Sequence, residues 1–182
     1  MLVKVFLPLI LFFSVTTDAP YKINFGQKLD GQKWRVINDG VMGGLSQGSA
    51  YLTEEGLKFS GRISLDNNGG FASLRSPYQN MDLRAFKEVR IRYRTKGLKL
   101  GFRLELNRAF YLPYYKSNLR QSDGEWITQV IPLKEFEEYR LGKQTGARIS
   151  SSELARIIRI GFICAEKREG DFEIEIDSIE FR

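Results

Sequence analysis

Hydrophobic and polar residues alternate in two long runs of this chain. Between Lys87 and Arg94, Val89, Ile91 and Tyr93 take one parity, and Arg90, Arg92 and Arg94 take the other. Between Leu98 and Leu106, Leu98, Leu100, Phe102, Leu104 and Leu106 share a parity, opposite Lys99, Arg103 and Glu105. A period of two marks a strand with one face on a core and one toward solvent. The apolar parity is therefore expected inward, and Arg103 and Glu105 outward. Ile157–Ala165 reads as a strongly apolar strand. Cys164 shares parity there with Ile158, Ile160 and Phe162, as an inert buried thiol would. Asp171–Arg182 alternates Phe172, Ile174 and Ile176 with Glu173, Glu175 and Asp177, then slips before Ile179. The slip predicts a bulge near Asp177-Ser178. The acids of this last strand are the expected partners of the arginine ladder.

Shorter strands are predicted over Tyr21–Phe25, Trp34–Ile37, Gly61–Leu65, Phe71–Arg75 with Phe71 inward, and Trp126–Ile131. Ser49–Thr53 and Leu57–Ser60 read as a hairpin around Glu54-Glu55-Gly56. Met81–Phe86 reads as one helical turn, Leu133–Tyr139 as a charged surface segment, and Gly142–Ser152 as a flexible loop. Ser151 or Ser152 is expected to cap a short helix with Glu153 in its first turn. Many short strands, frequent turn signals and almost no helix predict an all-β fold, an antiparallel β-sandwich or jelly roll.

The chain has 182 residues, enough for one domain plus a short extra segment. Residues 20–182 are assigned to the domain. In residues 1–19, Lys4 precedes an apolar run from Val5 to Val15, followed by Thr16, Thr17 and Ala19. This reads as a signal peptide, or as an uncleaved membrane anchor. The expected location is exported to the periplasm, or anchored at the inner membrane, of a bacterium. The single cysteine excludes an intramolecular disulfide. The absence of histidine removes Ser-His-Asp and Cys-His catalysis and the commonest metal ligand. The net charge of +6 favours acidic partners, although acids and bases are interspersed along the chain.

The chain is organised around two glycine-rich runs, Trp34–Ser46 (W-R-V-I-N-D-G-V-M-G-G-L-S) and Gly61–Arg75 (G-R-I-S-L-D-N-N-G-G-F-A-S-L-R). Their glycines do not have the spacing of a dinucleotide or Walker phosphate loop, and no helical pattern follows them. The oxygens of Asp39, Asp66, Asn67 and Asn68 could gather around calcium. No D-x-D-x-D spacing supports an ion, and Asx-braced turns are the expectation. No metal and no cofactor is assigned.

These runs resemble the signature of the complex I intermediate-associated protein 30 family. The matching pieces are Trp34, Asn38-Asp39-Gly40, Met42-Gly43-Gly44 and Ser46, then Phe59-Ser60-Gly61, Ile63-Ser64, Asn67 to Phe71, Ser73 and Arg75. The resemblance implies a galactose-binding-like β-sandwich. It also implies a chaperone-like assembly factor that holds membrane-complex subunits while respiratory complex I is built. The motif positions carried over are Trp34, Asn38, Asp39, Gly40, Met42, Gly43, Gly44, Ser46, Asn68, Gly69, Gly70, Phe71 and Arg75, which shape a loop face. The family's mitochondrial members act in the matrix, the equivalent of the bacterial cytoplasm. A leader kept as an anchor, with the domain inside, reconciles that site with the N-terminal pattern.

Arg108–Arg120 gathers Arg108, Tyr111, Tyr114 and Tyr115. Such a cluster serves a partner-binding or sugar-stacking face, or packs alternately into a core. The function expected is non-catalytic binding, with a protein partner from a membrane complex first and carbohydrate second. Nucleic acid is not assigned, and membrane association would run through the N-terminus. Coplanar exposed Tyr111, Tyr114, Tyr115 or Trp126 would favour the sugar. An apolar patch beside the glycine loops would favour the protein.

Overall fold

The computed structural model describes residues 19–28 and 30–182. The leader expected over residues 1–19 lies outside them, apart from Ala19. Among the described residues no helix is long and apolar enough to cross a membrane.

Thirteen strands are described: β1 (Tyr21–Asn24), β2 (Arg35–Asn38), β3 (Gln47–Leu52), β4 (Leu57–Ile63), β5 (Ala72–Arg75), β6 (Glu88–Gly97), β7 (Leu100–Glu105), β8 (Tyr114–Asn118), β9 (Ile127–Pro132), β10 (Glu137–Arg140), β11 (Lys143–Arg148), β12 (Arg159–Cys164) and β13 (Gly170–Phe181). They form two antiparallel sheets packed face to face. One runs β3-β4-β13-β6-β9 with β1 added on β13, and the other β11-β10-β8-β7-β12-β5-β2. This is the antiparallel sandwich that the alternation predicts.

The alternating parities meet between the sheets. Val89, Ile91 and Tyr93 of β6 face Phe102 and Leu104 of β7, with Phe162 and Phe181, in one buried cluster. Burial of each such large side chain contributes about 1.5–3 kcal/mol. The register of β13 on β6 shifts between Ile176 and Ser178, the expected bulge. The extra residue resets the parity, so Ile174, Ile176, Ile179 and Phe181 are all fully buried. The arginine ladder is met in part by β13. Arg94 binds Glu175 at 2.7 Å and Arg92 lies 3.8 Å from Asp177. Arg90 turns instead to Glu88 on its own strand, and Glu173 takes Lys58.

Four local expectations change. Gly142–Ser152 is not a loop throughout, since β11 pairs with β10 at the sheet edge. Every residue of β11 is exposed, so no apolar parity announced it. Leu133 and Phe136 are buried rather than at the surface. The helix Ser151–Leu154 is capped by Ser150, whose hydroxyl accepts from Glu153 N–H while the Glu153 carboxylate accepts from Ser150 N–H at 2.7 Å. Met81–Phe86 forms a bridge to Ile157 and a tight turn, not a helical turn.

Candidate functional site

The outer face of the seven-stranded sheet is where the structure departs most from the alternation. Two neighbouring rows cross it. In one, Arg159 of β12, Glu105 of β7, Tyr114 of β8 and Tyr139 of β10 stand opposite one another in turn. In the other, Arg75 of β5, Gly161 of β12, Arg103 of β7 and Lys116 of β8 do the same. Gly161 therefore puts no side chain between Arg75 and Arg103. Arg103 and Glu105, expected toward solvent, are only 6% and 3% exposed. Loops lie over this face, so the polar parity of β7 is buried as completely as its apolar one.

Glu105 is the hub of the floor. Arg159 Nε donates to its Oε2 at 2.9 Å, and Arg75 Nε lies 3.5 Å from Oε1. Arg103 Nε lies 3.0 Å from Oε1 without the alignment of a hydrogen bond, so neither of those two atoms has a hydrogen-bond partner. One carboxylate thus faces three guanidinium groups. Tyrosine rings carry part of the load: Arg103 stacks on Tyr114 at 4.0 Å, and Arg159 and Arg108 lie over Tyr78 at 4.3 and 4.6 Å. Desolvation, helped by repulsion from Arg103 and Arg159, lowers Arg75 to about 10. Burial also lowers Arg103, against the pull of Glu105, and burial raises Tyr114.

The wall over β2 and β5 is built by the glycine runs, and Asp39 ties them together. Its carboxylate accepts from the main-chain N–H groups of Ser46 (2.9 Å), Gly70 (2.6 Å) and Phe71 (3.1 Å). Its own N–H donates to Phe71 O and its carbonyl accepts from Gly44 N–H. Burial pushes the Asp39 carboxyl up, but these hydrogen bonds outweigh it and hold the carboxyl below its ordinary value. A Cβ on Gly44 would stand 2.4 Å from Asp39 Cγ, which explains a glycine there. Gly43 ends the Asp39–Met42 turn in the left-handed region, at φ 89°. Both Asp39 oxygens are spent on amides, and Asn67 and Asn68 adopt positive φ in the Asp66–Asn68 turn. Among the described residues no cluster of His, Cys, Asp or Glu could hold a metal.

Floor, glycine wall and the loop 107–113 enclose a cleft of about 550 Å³. Its rim is apolar and open to solvent: Val41 is 77% exposed, Met42 58% and Phe110 66%, with Leu141 beside them. Five cationic side chains line it (Arg75, Arg103, Arg108, Arg159 and Lys167) against the single carboxylate of Glu105. A lone carboxylate gripped by arginines does not provide the separated acid and base that glycoside hydrolysis uses.

The sequence model for complex I intermediate-associated protein 30 matches residues 23–176. The chain belongs to that family. No curated protein matches it. Among solved structures, this family member is similar in fold to a family 11 carbohydrate-binding module from Clostridium thermocellum in complex with a β-1,3-1,4-mixed-linked tetrasaccharide. The identity is 13%, with 89% of this chain and 94% of that one covered, at a TM-score of 0.60. The family 11 module of the Clostridium thermocellum cellulosomal cellulase Lic26A-Cel5E aligns over the same shares at 13% identity and 0.62. The agarase AgWH50C aligns at 12% and 0.55, over 87% of this chain but only 24% of the agarase chain. At these identities the likeness is one of fold.

The motif residues of this family member divide between site and support. Met42, Asn68, Gly69, Gly70, Phe71 and Arg75 line the cleft. Phe71, expected inward, is half-buried on the cleft side. Trp34 instead sits in the core, edge-on to Phe25 at 5.2 Å. Asn38, Asp39, Gly40, Gly43, Gly44 and Ser46 shape the loop. Ser46 Oγ donates to Ser64 O and accepts from Ser64 N–H, which joins the two runs a second time. Of the aromatic cluster, Arg108 and Tyr114 line the cleft and Tyr111 is exposed beside it. Tyr115 is a correction: it is 2% exposed and lies in the core, on the opposite face of β8 from Tyr114. Adjacent strand residues cannot share a face. The motif and the aromatic cluster do not include Tyr78, Arg103, Glu105 and Arg159, which also line the cleft. The signal available was Arg159, a charge set in the apolar run I-I-R-I-G-F-I-C.

Proposed function

We propose that this domain is a non-catalytic binding module that holds a segment of an unassembled protein in the cleft, in the service of respiratory complex I assembly. Family membership supports the assembly role. The observation that carries the protein partner is the apolar rim: Val41, Met42 and Leu141 stand exposed beside the glycine loops, facing Phe110. An exposed apolar patch bordering a polar floor supports a partner surface. We place the domain at a bacterial membrane, exported or held by an anchor in residues 1–19.

The test is crosslinked recovery of the full-length protein from native membranes, with its N-terminus sequenced, beside a Met42→Asp/Phe110→Asp variant. Recovery of respiratory subunits by the wild type and not the variant, with residues 1–19 intact, supports the reading. A cleaved protein in the periplasm with no membrane partner overturns it.

A carbohydrate-binding module is the second reading, supported by the shared fold. Its aromatic platform is small here. Tyr114 and Tyr115 face opposite sides, Phe110 and Tyr111 meet edge to face at 5.7 Å, and Arg92 and Arg94 cover Trp126. A glycan-binding screen decides it.

A further inference from the structure

Buried charges in proteins are paired, and the cleft floor breaks that rule. Arg75, Arg103 and Arg159 have side chains only 13%, 8% and 8% exposed, and they share one carboxylate. Arg159 is satisfied by Glu105 through two nitrogens. The hydrogen bond that Arg75 donates runs from Nε to Ser73 Oγ. The terminal nitrogens of Arg75 and Arg103 donate no hydrogen bond to any described residue, and both residues line the cleft. General basicity of the chain does not account for this. The pocket on the outer face of the other sheet sets Lys58, Arg94 and Lys96 against Glu173 and Glu175, close to balance.

We propose that Arg75 and Arg103 form a carboxylate-binding subsite, and that the protein segment held in the cleft presents an Asp or Glu side chain to it, flanked by apolar residues on the rim. This inference rests on the protein-segment reading above and names the chemistry of that segment. A guanidinium fork matches a carboxylate with two parallel N–H···O bonds. Both forks line the same cleft of about 550 Å³, and Gly161, between them on β12, sets no side chain there. The charge lies at the bottom of an apolar-rimmed cleft, where a single side chain reaches it. An exposed cationic row, which would follow a nucleic-acid backbone, is a different arrangement. The excess of five cations over one carboxylate supplies the complementarity.

The experiment is selection of a random twelve-residue peptide library on the immobilised full-length protein, followed by affinity measurement on the best peptide and on its counterpart with the acidic residue changed to the amide. The proposal expects enriched peptides with one acidic residue between apolar ones. The amide counterpart should bind about ten- to a hundredfold more weakly, as loss of a charge-assisted hydrogen-bonded pair implies. Arg103→Gln, checked for folding by circular dichroism, should abolish the preference for the acid. The amide peptide tests the same point on the unaltered protein, so a variant that fails to fold does not rescue the proposal. Enriched peptides without an acidic preference would overturn the carboxylate subsite and leave the protein-segment reading standing. No peptide enrichment, with retention of a polyuronate or neutral glycan, would overturn both.

Discussion

The carboxylate of Asp39 accepts a 2.6 Å hydrogen bond from the main-chain N–H of Gly70, 31 residues further along the chain. That contact fuses two separate glycine runs into one wall of the cleft. The same carboxylate takes the amides of Ser46 and Phe71. The Ser46 amide is buried and the other two donors are partly buried, so loss of the acceptor strands them in part. Asp39→Ala should therefore cost about 3 kcal/mol, within the range for charge-assisted bonds and stranded amides. For a chain of this size that corresponds to a loss of about 6–12 °C in the thermal midpoint. A scanning calorimetry midpoint within a degree of wild type would show that the clamp is not what holds the wall.

Two glycines of the same loop should respond differently to alanine. At Gly44 the new Cβ would meet Asp39 Cγ at 2.4 Å and Gly69 Cα at 2.8 Å. Relief would require the Asp39 clamp to move, at about 1–3 kcal/mol. At Gly40 nothing lies within 4 Å and φ is not left-handed, so Gly40→Ala should lie within about 0.5 kcal/mol of wild type. Urea midpoints of the two variants make the comparison directly.

The fold was legible because its core strands are half-buried. Period two in β6, β7 and β13 identified the inward side chains, and the slipped parity near Asp177 identified the bulge. The same logic failed for the site. Arg103 and Glu105 alternate with leucines, as solvent-facing residues do, and period two cannot distinguish a wet face from one roofed by loops. The roof comes from the glycine runs, distant in sequence, and from the loop 107–113 that follows β7 and folds back over it. The motif supplied one member of the floor, Arg75, and the wall. The other members come from β7 and β12, where their charges looked ordinary. Edge strand β11 escaped for the opposite reason, having no buried side chain to set a period.

Acid should unfold the protein through its clamped carboxylates. Hydrogen bonds hold Asp39, Glu153 and Glu175 below their ordinary values, against the upward push of burial. A depressed folded value adds stability that is full above the unfolded pKa and is lost as pH falls through the folded one. Stability should thus be level near neutrality and decline below about pH 4, where free carboxylates take up protons. Asp39→Asn should lower the plateau and make the acid limb shallower. Urea midpoints between pH 2 and pH 7 read both, and an unchanged slope would remove Asp39 from the account.

Cys164 should be chemically silent in the folded protein. It is fully buried in the core, and burial, reinforced by Glu166, pushes its thiol up to about 12. Both access and thiolate are lacking, and attack on a disulfide reagent needs both. At pH 8 the native protein should release almost no chromophore from an aromatic disulfide reagent over an hour. One equivalent should appear at once in guanidinium chloride. Fast labelling of the native state would mean that β12 opens readily.

Removing the one acid from the cleft floor should cost more than removing acid and base together. Glu105→Gln leaves Arg75, Arg103 and Arg159 buried without their shared counter-charge, at about 3–5 kcal/mol for a broken buried ion pair. Adding Arg159→Gln to that variant removes the guanidinium most dependent on Glu105, bound through two nitrogens. It should recover part of the loss, so the two substitutions are non-additive by about 1–3 kcal/mol. The double-mutant cycle in urea measures this coupling. Additivity within about 0.5 kcal/mol would mean that solvent, not Glu105, already balances the floor. The same cycle repeated with a saturating acidic peptide should show smaller coupling, because a carboxylate from the ligand takes over part of the role of Glu105.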